Sequence, residues 1–392
     1  QIYLLRRLTT DRDNINLEQR RKFTQCLLEC LYEHHGVVYQ GILFGSSVNG
    51  LGFLDSDIDL RIRPLMQISH EEFEPITYDY ETGERVLRNI AFQTTRCSRA
   101  VGEFRPSFRC PIAKLTFIQR NSKTLEEGWK YDISLSSSPL GSLNSCYMRF
   151  LCCLEPKFHL LAMTLRYWAK AHDLISSGLL SSYALINMLI FFLQNTDPPL
   201  LPTVDEMRDT WLCHHDITEG RMESHAITQL DWQCLIDMDE ENYQRSNNND
   251  SLCLLLLKFF EFYLKFSYSS NIITTRTGSI ISFEDFPTSS QYHKQFPLKV
   301  YLNIQDPFDL KHNLTSGMTG KHFMLFMLTM RCSYERLSDD IIRNFKRPKA
   351  IFKKRDDSRK GEACDKGAKR SVIWGINKIF APLTDEDKEG FL

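Results

Sequence analysis

The hydrophobic positions change period twice along the chain. Between Leu17 and Tyr32, Phe23, Leu27 and Leu31 recur at helical spacing and predict one amphipathic helix. From residue 37 onward the apolar residues come in short runs: Val37-Val38-Tyr39, Ile42 to Phe44, Ile58 to Ile62 and Lys114 to Ile118. Turn residues separate them, which predicts an α/β segment over 37–150. From 151 to 345 the helical period returns, with amphipathic stretches at 157–176, 181–195, 252–266 and 320–343. Pro198-Pro199-Leu200-Leu201-Pro202 reads as a stiff connector between helices, and 241–251 as an exposed loop. The most apolar run, Leu252 to Phe266, is too short for a bilayer and carries Lys258, Glu261 and Lys265. It predicts a buried core helix, with no membrane association.

Composition narrows the class. A chain of 392 residues with 42% hydrophobic and 25% charged positions has room for two domains and a large core, which excludes wholesale disorder. The net charge of -1 excludes a global basic field. The balance is uneven, because Arg343 to Arg370 carries a local +8. That tail over 346–392 is either a solvated end or a contact for a phosphate backbone. The 12 cysteines lack paired spacing, so the expected setting is a reducing cytoplasm with thiols mostly buried; Cys26 and Cys30 read as core of the first helix. Cys213-His214-His215 with His225 fits no closed zinc site. A chain opening on Gln1 rather than Met reads as a portion of a longer protein.

The candidate chemistry lies in Gly41 to Arg63, GILFGSSVNGLGFLDSDIDLRIR. An apolar strand meets a Gly45-Ser46-Ser47 turn, whose N–H groups and hydroxyls suit a phosphate. Asp57 and Asp59 then share one strand face while Ile58 and Leu60 point inward. Two like charges on one face call for a cation between them, and hard oxygen ligands suit Mg²⁺ or Mn²⁺. Asp55 falls in the turn and reads as a solvent residue. Arg166 and Lys170 lie at i, i+4, as either a triphosphate grip or an exposed basic stripe. Ser181 or Ser182 is placed to cap the next helix, and Tyr183 either stacks on a base or packs in the core.

A strand, Gly-Ser and Asp-x-Asp in this order resemble the DNA polymerase beta-like nucleotidyltransferases. Over residues 15–345 the chain is similar to the template-independent RNA nucleotidyltransferases among them, the terminal uridylyltransferases and poly(A) polymerases. The resemblance implies a sheet lobe of the polymerase beta-like fold over 37–150 and a helical poly(A)-polymerase-associated lobe over 151–345, on which the helix of 1–36 packs. The nucleotide is expected between the lobes. It implies that Asp132 joins Asp57 and Asp59 as ligands of two metal ions. It implies that Ser46 holds phosphate, that Gly141, Asn144 and Ser145 lie near the ribose, and that Arg166 and Lys170 grip the triphosphate. Ser145 stands where the family has Thr, and Arg166 where it has Lys. Ser182 and Tyr183 match a Ser-Tyr pair that touches phosphate and base.

Asp306-Pro307-Phe308-Asp309-Leu310-Lys311-His312-Asn313 resembles the family's base-closing segment. Asp306 and Asp309 are expected to hold water or base N–H groups. His312 matches the uridylyl-specific branch, where an imidazole donor suits uracil O4 and its ring takes space a purine needs. The implied activity is UMP addition from UTP to a single-stranded RNA 3′ end, by a monomer acting in the cytoplasm. An RNA-decay or small-RNA pathway protein is the expected partner, through a region outside this chain. The rivals are the same chemistry with ATP, or a catalytically silent RNA-binding scaffold of the same fold. Arg96, Arg99, Arg105 and Arg109 cluster in the sheet lobe and either meet RNA or face solvent. Asn313-Leu314-Thr315 is formally a glycosylation sequon, discounted for an intracellular enzyme.

Overall fold

The computed structural model describes residues 13–346, apart from 54–55, 70–71, 98–99, 108–109, 121–124, 136–139, 176–179, 215–242, 244 and 287–295, together with 379–384 and 387. Contacts divide the chain into two compact units, Leu4–Cys153 and the part from Leu154 onward.

The first unit is built on a six-stranded mixed sheet. Helix α1 (Asp13–His35) leads into β1 (Val38–Phe44) and a single 3-10 turn, Gly45–Ser47. Then come β2 (Ile58–Gln67), the short β3 (Phe73–Pro75), α2 (Tyr80–Cys97), β4 (Ala100–Arg105), β5 (Ile112–Arg120), β6 (Leu125–Ser134) and α3 (Leu140–Leu154). The sheet order is β1-β2-β6-β5-β4, with β3 beside β2. β2 and β6 run parallel, and every other pair is antiparallel. Alternation sets the faces: Ile58, Leu60 and Ile62 of β2, Ala113 and Leu115 of β5, and Tyr131 and Ile133 of β6 are all at most 1% exposed.

Helix α1 covers this core. Leu27 and Leu31 are buried in the sheet cluster, and the Phe23 ring stacks on Tyr131 at 5.8 Å. The expectation that this helix packs on the helical lobe is therefore corrected: its apolar stripe is taken up by the sheet. Cys26 and Cys30 are corrected with it, since Cys26 is exposed and Cys30 half-buried, one position off the stripe. Of the free cysteines among the described residues only Cys332 is buried, so the expectation of mostly buried thiols fails as well.

The second unit is helical. It contains α4 (Pro156–Ala171), α5 (Ser182–Gln194), α6 (Val204–His214), α7 (Leu252–Leu264) and α8 (Gly320–Lys346). A small sheet of β7 (Asn271–Thr274), β8 (Ser279–Ser282) and β9 (Ile304–Gln305) completes it. Helix α4 stops at Ala171, short of the expected 176, because Asp173 takes a positive φ of 52°. Its Trp168 is fully buried against Phe260 and Phe326 and donates to Ser333 Oγ at 2.9 Å. Phe259, Phe260 and Tyr263 of α7 are fully buried, each side chain contributing about 1.5–3 kcal/mol by leaving water. In the connector Leu200 and Leu201 are buried, and Leu200 N–H donates to Leu193 C=O. The 245–251 part of the expected loop has no regular structure, and Asn248 is buried there, donating to Pro198 C=O. Among the described residues no helix is long and apolar enough to cross a membrane.

Candidate active site

The sheet brings the three aspartates to one face of the neighbouring strands β2 and β6. Asp57 stands at the entrance of β2, and Asp59 follows two positions later. Parallel pairing sets Asp59 opposite Asp132 of β6, and antiparallel pairing sets Lys114 of β5 opposite Asp132. Asp57, Asp59 and Asp132 are half-buried on the face opposite the fully buried Ile58, Leu60 and Ile133.

Lys114 is the residue that sequence reasoning missed. Its Nζ donates to Asp57 Oδ2 at 2.6 Å and lies 3.4 Å from Asp132 Oδ1. Burial opposes the charge on Lys114, but the hydrogen bond to Asp57 and the carboxylates of Asp132 and Asp57 outweigh it and hold its pKa above the ordinary value. Burial likewise pushes the Asp132 carboxyl above the usual aspartate range; Lys114 pulls it down and the Asp57 charge adds to the rise. The alternation of Lys114 with buried Ala113 and Leu115 was visible in the sequence, but its pairing with Asp132 depends on sheet register.

The Gly-Ser turn abuts these carboxylates. Gly45 has φ +63°, and a Cβ there would collide with the Asp59 carboxylate. Its N–H donates to Ser145 Oγ at 2.7 Å, and Ser145 Oγ donates to Gly141 C=O at 2.6 Å. Ser145 is 3% exposed, so its hydroxyl proton is committed to the frame of the turn. Gly141 is required by Phe44, whose ring would lie 2.9 Å from an added Cβ. Asn144 Oδ1 is buried without a hydrogen-bond partner in the protein. Ser46 is half-buried. Among the described residues no group of three or more His, Cys, Asp or Glu is already drawn together as a metal cluster. The donor set suits a hard divalent cation: three carboxylates on one face of neighbouring strands, an Asp132 oxygen met only by the Lys114 ammonium at 3.4 Å, and a glycine where side-chain bulk would block Asp59.

The helical unit holds the other candidates. Arg166 is half-buried and Lys170 exposed, one turn apart on α4. Ser181 caps α5 through Ala184 N–H at 3.0 Å, leaving Ser182 and Tyr183 in the first turn, both half-buried. Asp306 is 4% exposed, and its Oδ1 accepts from the N–H groups of Phe308 and Asp309 at 2.9 and 3.1 Å. Its Oδ2 lies 3.4 Å from His312 Nδ1, and the chain closes on itself through Asp306 N–H to His312 C=O at 3.0 Å. Asp306 thus shapes the turn that presents His312, while Asp309 and His312 stay half-buried. Arg276, 7% exposed, backs this turn by donating to Pro307 C=O at 3.3 Å while paired to Asp205 at 3.0 Å. Asn313 is fully buried and its Oδ1 accepts from Ile304 N–H, Thr315 N–H and Thr315 Oγ1, so the sequon asparagine is a structural hub.

In the sheet unit Arg96 is exposed with its guanidinium 5.6 Å from the Phe92 ring, and Arg105 is exposed and paired with Glu103 at 3.3 Å. Asp55, Arg99, Arg109, His215, His225 and the tail from 347 to 378 lie outside the described residues.

A family profile described as "Cid1 family poly A polymerase" matches residues 251–312, which span α7, the small sheet and the Asp306–His312 turn. Over those residues the chain is similar to that family. The zebrafish (Danio rerio) speckle targeted PIP5K1A-regulated poly(A) polymerase is 26% identical over 388 residues, 88% of this chain and 44% of that protein. Human terminal uridylyltransferase 4 is 29% identical over 287 residues, 71% of this chain and 15% of that protein. The chain therefore spans less than half the length of these relatives. The crystal structure of mtPAP in apo form superposes with a TM-score of 0.70 at 20% identity, covering 98% of this chain and 72% of that one. That of the Cid1 poly(U) polymerase superposes with a TM-score of 0.59 at 20% identity, covering 84% and 90%. The fold is accordingly the one those structures share, polymerase beta-like with a poly(A)-polymerase-associated region.

Proposed function

We propose that the chain is a terminal RNA uridylyltransferase, adding UMP from UTP to a single-stranded RNA 3′ hydroxyl without a template. The observation that supports nucleotidyl transfer is the placement of Asp57, Asp59 and Asp132 on one face of neighbouring strands, with Lys114 between Asp57 and Asp132 and the Gly45–Ser47 turn against Asp59. These carboxylates would hold two Mg²⁺ or Mn²⁺ ions, which supply activation of the attacking hydroxyl and stabilisation of the leaving pyrophosphate. The chain itself does the positioning: Gly45 keeps side-chain bulk away from Asp59, and Ser145 holds the turn that offers Ser46 to phosphate. In the helical unit Arg166, Lys170 and Ser182 are the cationic and hydroxyl groups assigned to the triphosphate, and Tyr183 to the base.

The choice of UTP rests on His312. Asp306 shapes its turn and faces its Nδ1 at 3.4 Å, so Nε2 is the ring nitrogen assigned to the base. Protonated there, the ring donates to uracil O4. The relatives named as poly(A) polymerases favour ATP as a second reading, and mtPAP crystals have been obtained with UTP as well as ATPγS, so the fold does not decide the base. A 3′-extension assay with each nucleoside triphosphate in turn separates the readings: UTP-driven extension supports the first, ATP-driven extension the second. A monomer acting in the cytoplasm, with an RNA-decay or small-RNA pathway protein as partner, completes the proposal; sedimentation of the purified chain tests the monomer.

A further inference from the structure

We propose that Arg20 of α1 is a positioning residue for the catalytic loop: one guanidinium clamps both ends of the segment that links the Gly-Ser turn to Asp57. The inference deepens the reading above and rests on it, since it takes Ser46 and Asp57 as the groups that meet triphosphate and metal.

Arg20 is 4% exposed. A buried guanidinium is costly unless its donors are satisfied, so the identity of its acceptors is informative. Its Nη1 donates to Ser47 Oγ at 2.9 Å, at the end of the 3-10 turn and next to Ser46. Its Nη2 donates to Ser56 C=O at 3.3 Å, the residue before Asp57. Its planar face lies 5.8 Å from the centre of the Trp129 ring, three positions before Asp132. Between the two clamped ends, 48–53 has no regular strand or helix; Phe53 N–H donates to Ser56 Oγ at 2.8 Å, and Arg149 Nη1 of α3 donates to Val48 C=O at 3.4 Å. Without Arg20, Ser46 and Asp57 are joined through a loop held from neither end by the helix above it.

The fork of Arg is what makes one side chain reach two acceptors; a Lys ammonium on a flexible stem replaces one of them at most. The helix needs no such clamp to stay docked. Phe23, Leu27 and Leu31 already bury it, and Thr24 Oγ1 lies 3.1 Å from Tyr131 Oη. That separates a positioning role from a gluing one, because Thr24→Val loosens the docking and leaves the clamp intact.

The test is steady-state 3′ extension with the full chain, together with calorimetric binding of the nucleoside triphosphate in Mn²⁺, on Arg20→Ala, Arg20→Lys, Ser47→Ala, the Arg20→Ala/Ser47→Ala double variant and Thr24→Val. Arg20→Ala is expected to raise KM and Kd for the triphosphate about ten-fold, the loss of a charge-assisted contact. Arg20→Lys should fall between it and the wild type. Ser47→Ala should move KM in the same direction, and the double variant should do little more than the worse single one, because both remove one contact. Thr24→Val should lower the unfolding temperature and leave KM unchanged.

The inference is overturned by an Arg20→Ala protein whose KM stays within about two-fold of wild type, by full additivity with Ser47→Ala, or by a Thr24→Val protein that raises KM as much. Should Arg20→Ala not fold, Ser47→Ala at its half-buried position decides by the same readout. A wild-type chain that binds triphosphate but extends no RNA would sink the proposed function and leave Arg20 to be judged by Kd; one that neither binds nor extends would overturn both.

Discussion

The ammonium of Lys114 donates to the carboxylate of Asp57 at 2.6 Å and lies 3.4 Å from the carboxylate of Asp132. Like charges on one strand face need a counter-charge, and Lys114 supplies one. Lys114→Met should therefore lower the unfolding temperature of the metal-free protein and enlarge the rise produced by Mn²⁺, because the ion no longer displaces a competitor. Thermal unfolding with and without Mn²⁺ reads both effects. An equal metal-induced rise in the two proteins would show that Lys114 does not hold the cation place.

Gly45 and Ser145 form the frame of the turn from opposite sides. Gly45→Ala forces a Cβ into Asp59 at a positive φ, so activity should be lost at least about a hundred-fold in kcat, as expected for misplacement of a reacting group. Ser145→Ala removes one acceptor and costs about 1 kcal/mol of support, so its defect should be milder and Ser145→Thr should restore it. Paired kinetics and circular dichroism of the three variants check the order.

The same reasoning applies to the base-reading turn. His312→Ala should relax the preference for UTP over ATP while leaving the fold intact, since the ring is half-buried. Asp306→Ala should destabilise the helical unit by about 1–3 kcal/mol, because two N–H groups lose a buried acceptor. Competition between UTP and ATP and chemical unfolding measure these separately. An unchanged base preference in His312→Ala would remove the basis for choosing UTP.

His172 gives the helical unit a pH dependence. Burial lowers its pKa from 6.5; its bond to the carbonyl of Ile379 raises it, nearby Arg336 lowers it and Asp173 raises it, with a net downward shift. A histidine whose folded pKa is depressed resists protonation when folded, so the unfolded chain binds the proton first. Stability should be full above the unfolded value, fall as pH drops through it, and level off below the folded value. Unfolding temperatures from about pH 8 to about pH 5 should fall more steeply for the wild type than for His172→Gln. Parallel curves would contradict the assignment.

How much was legible in the sequence depended on whether a feature is local. Ile58 and Leu60 alternate with Asp57 and Asp59, so the shared face of those two aspartates followed from period, whereas Asp132 came from the resemblance and its place beside Asp59 from strand register. The helices around Trp168 and Phe259 followed from spacing and burial. Lys114 was not legible, because a strand lysine looks like a solvent residue until register sets it opposite Asp132. Arg20 was hidden for the same reason, with its acceptors 27 and 36 positions away. The stripe of Phe23, Leu27 and Leu31 announced a buried helix face but not its acceptor, which is why the sheet rather than the helical lobe was a surprise. Ser145 was expected at the sugar by resemblance; its place beneath Gly45 emerges only from the packing of α3 on the turn.

The central claim is metal-dependent nucleotidyl transfer by the three aspartates of the sheet. The most direct measurement is extension of a labelled single-stranded RNA with each of the four nucleoside triphosphates, in Mg²⁺ and in Mn²⁺, by the wild type and by Asp59→Asn. The account predicts extension with UTP above all by the wild type, and its loss in Asp59→Asn with the unfolding temperature maintained. Equal extension by Asp59→Asn, or none by the wild type with any nucleotide and either ion, would contradict it.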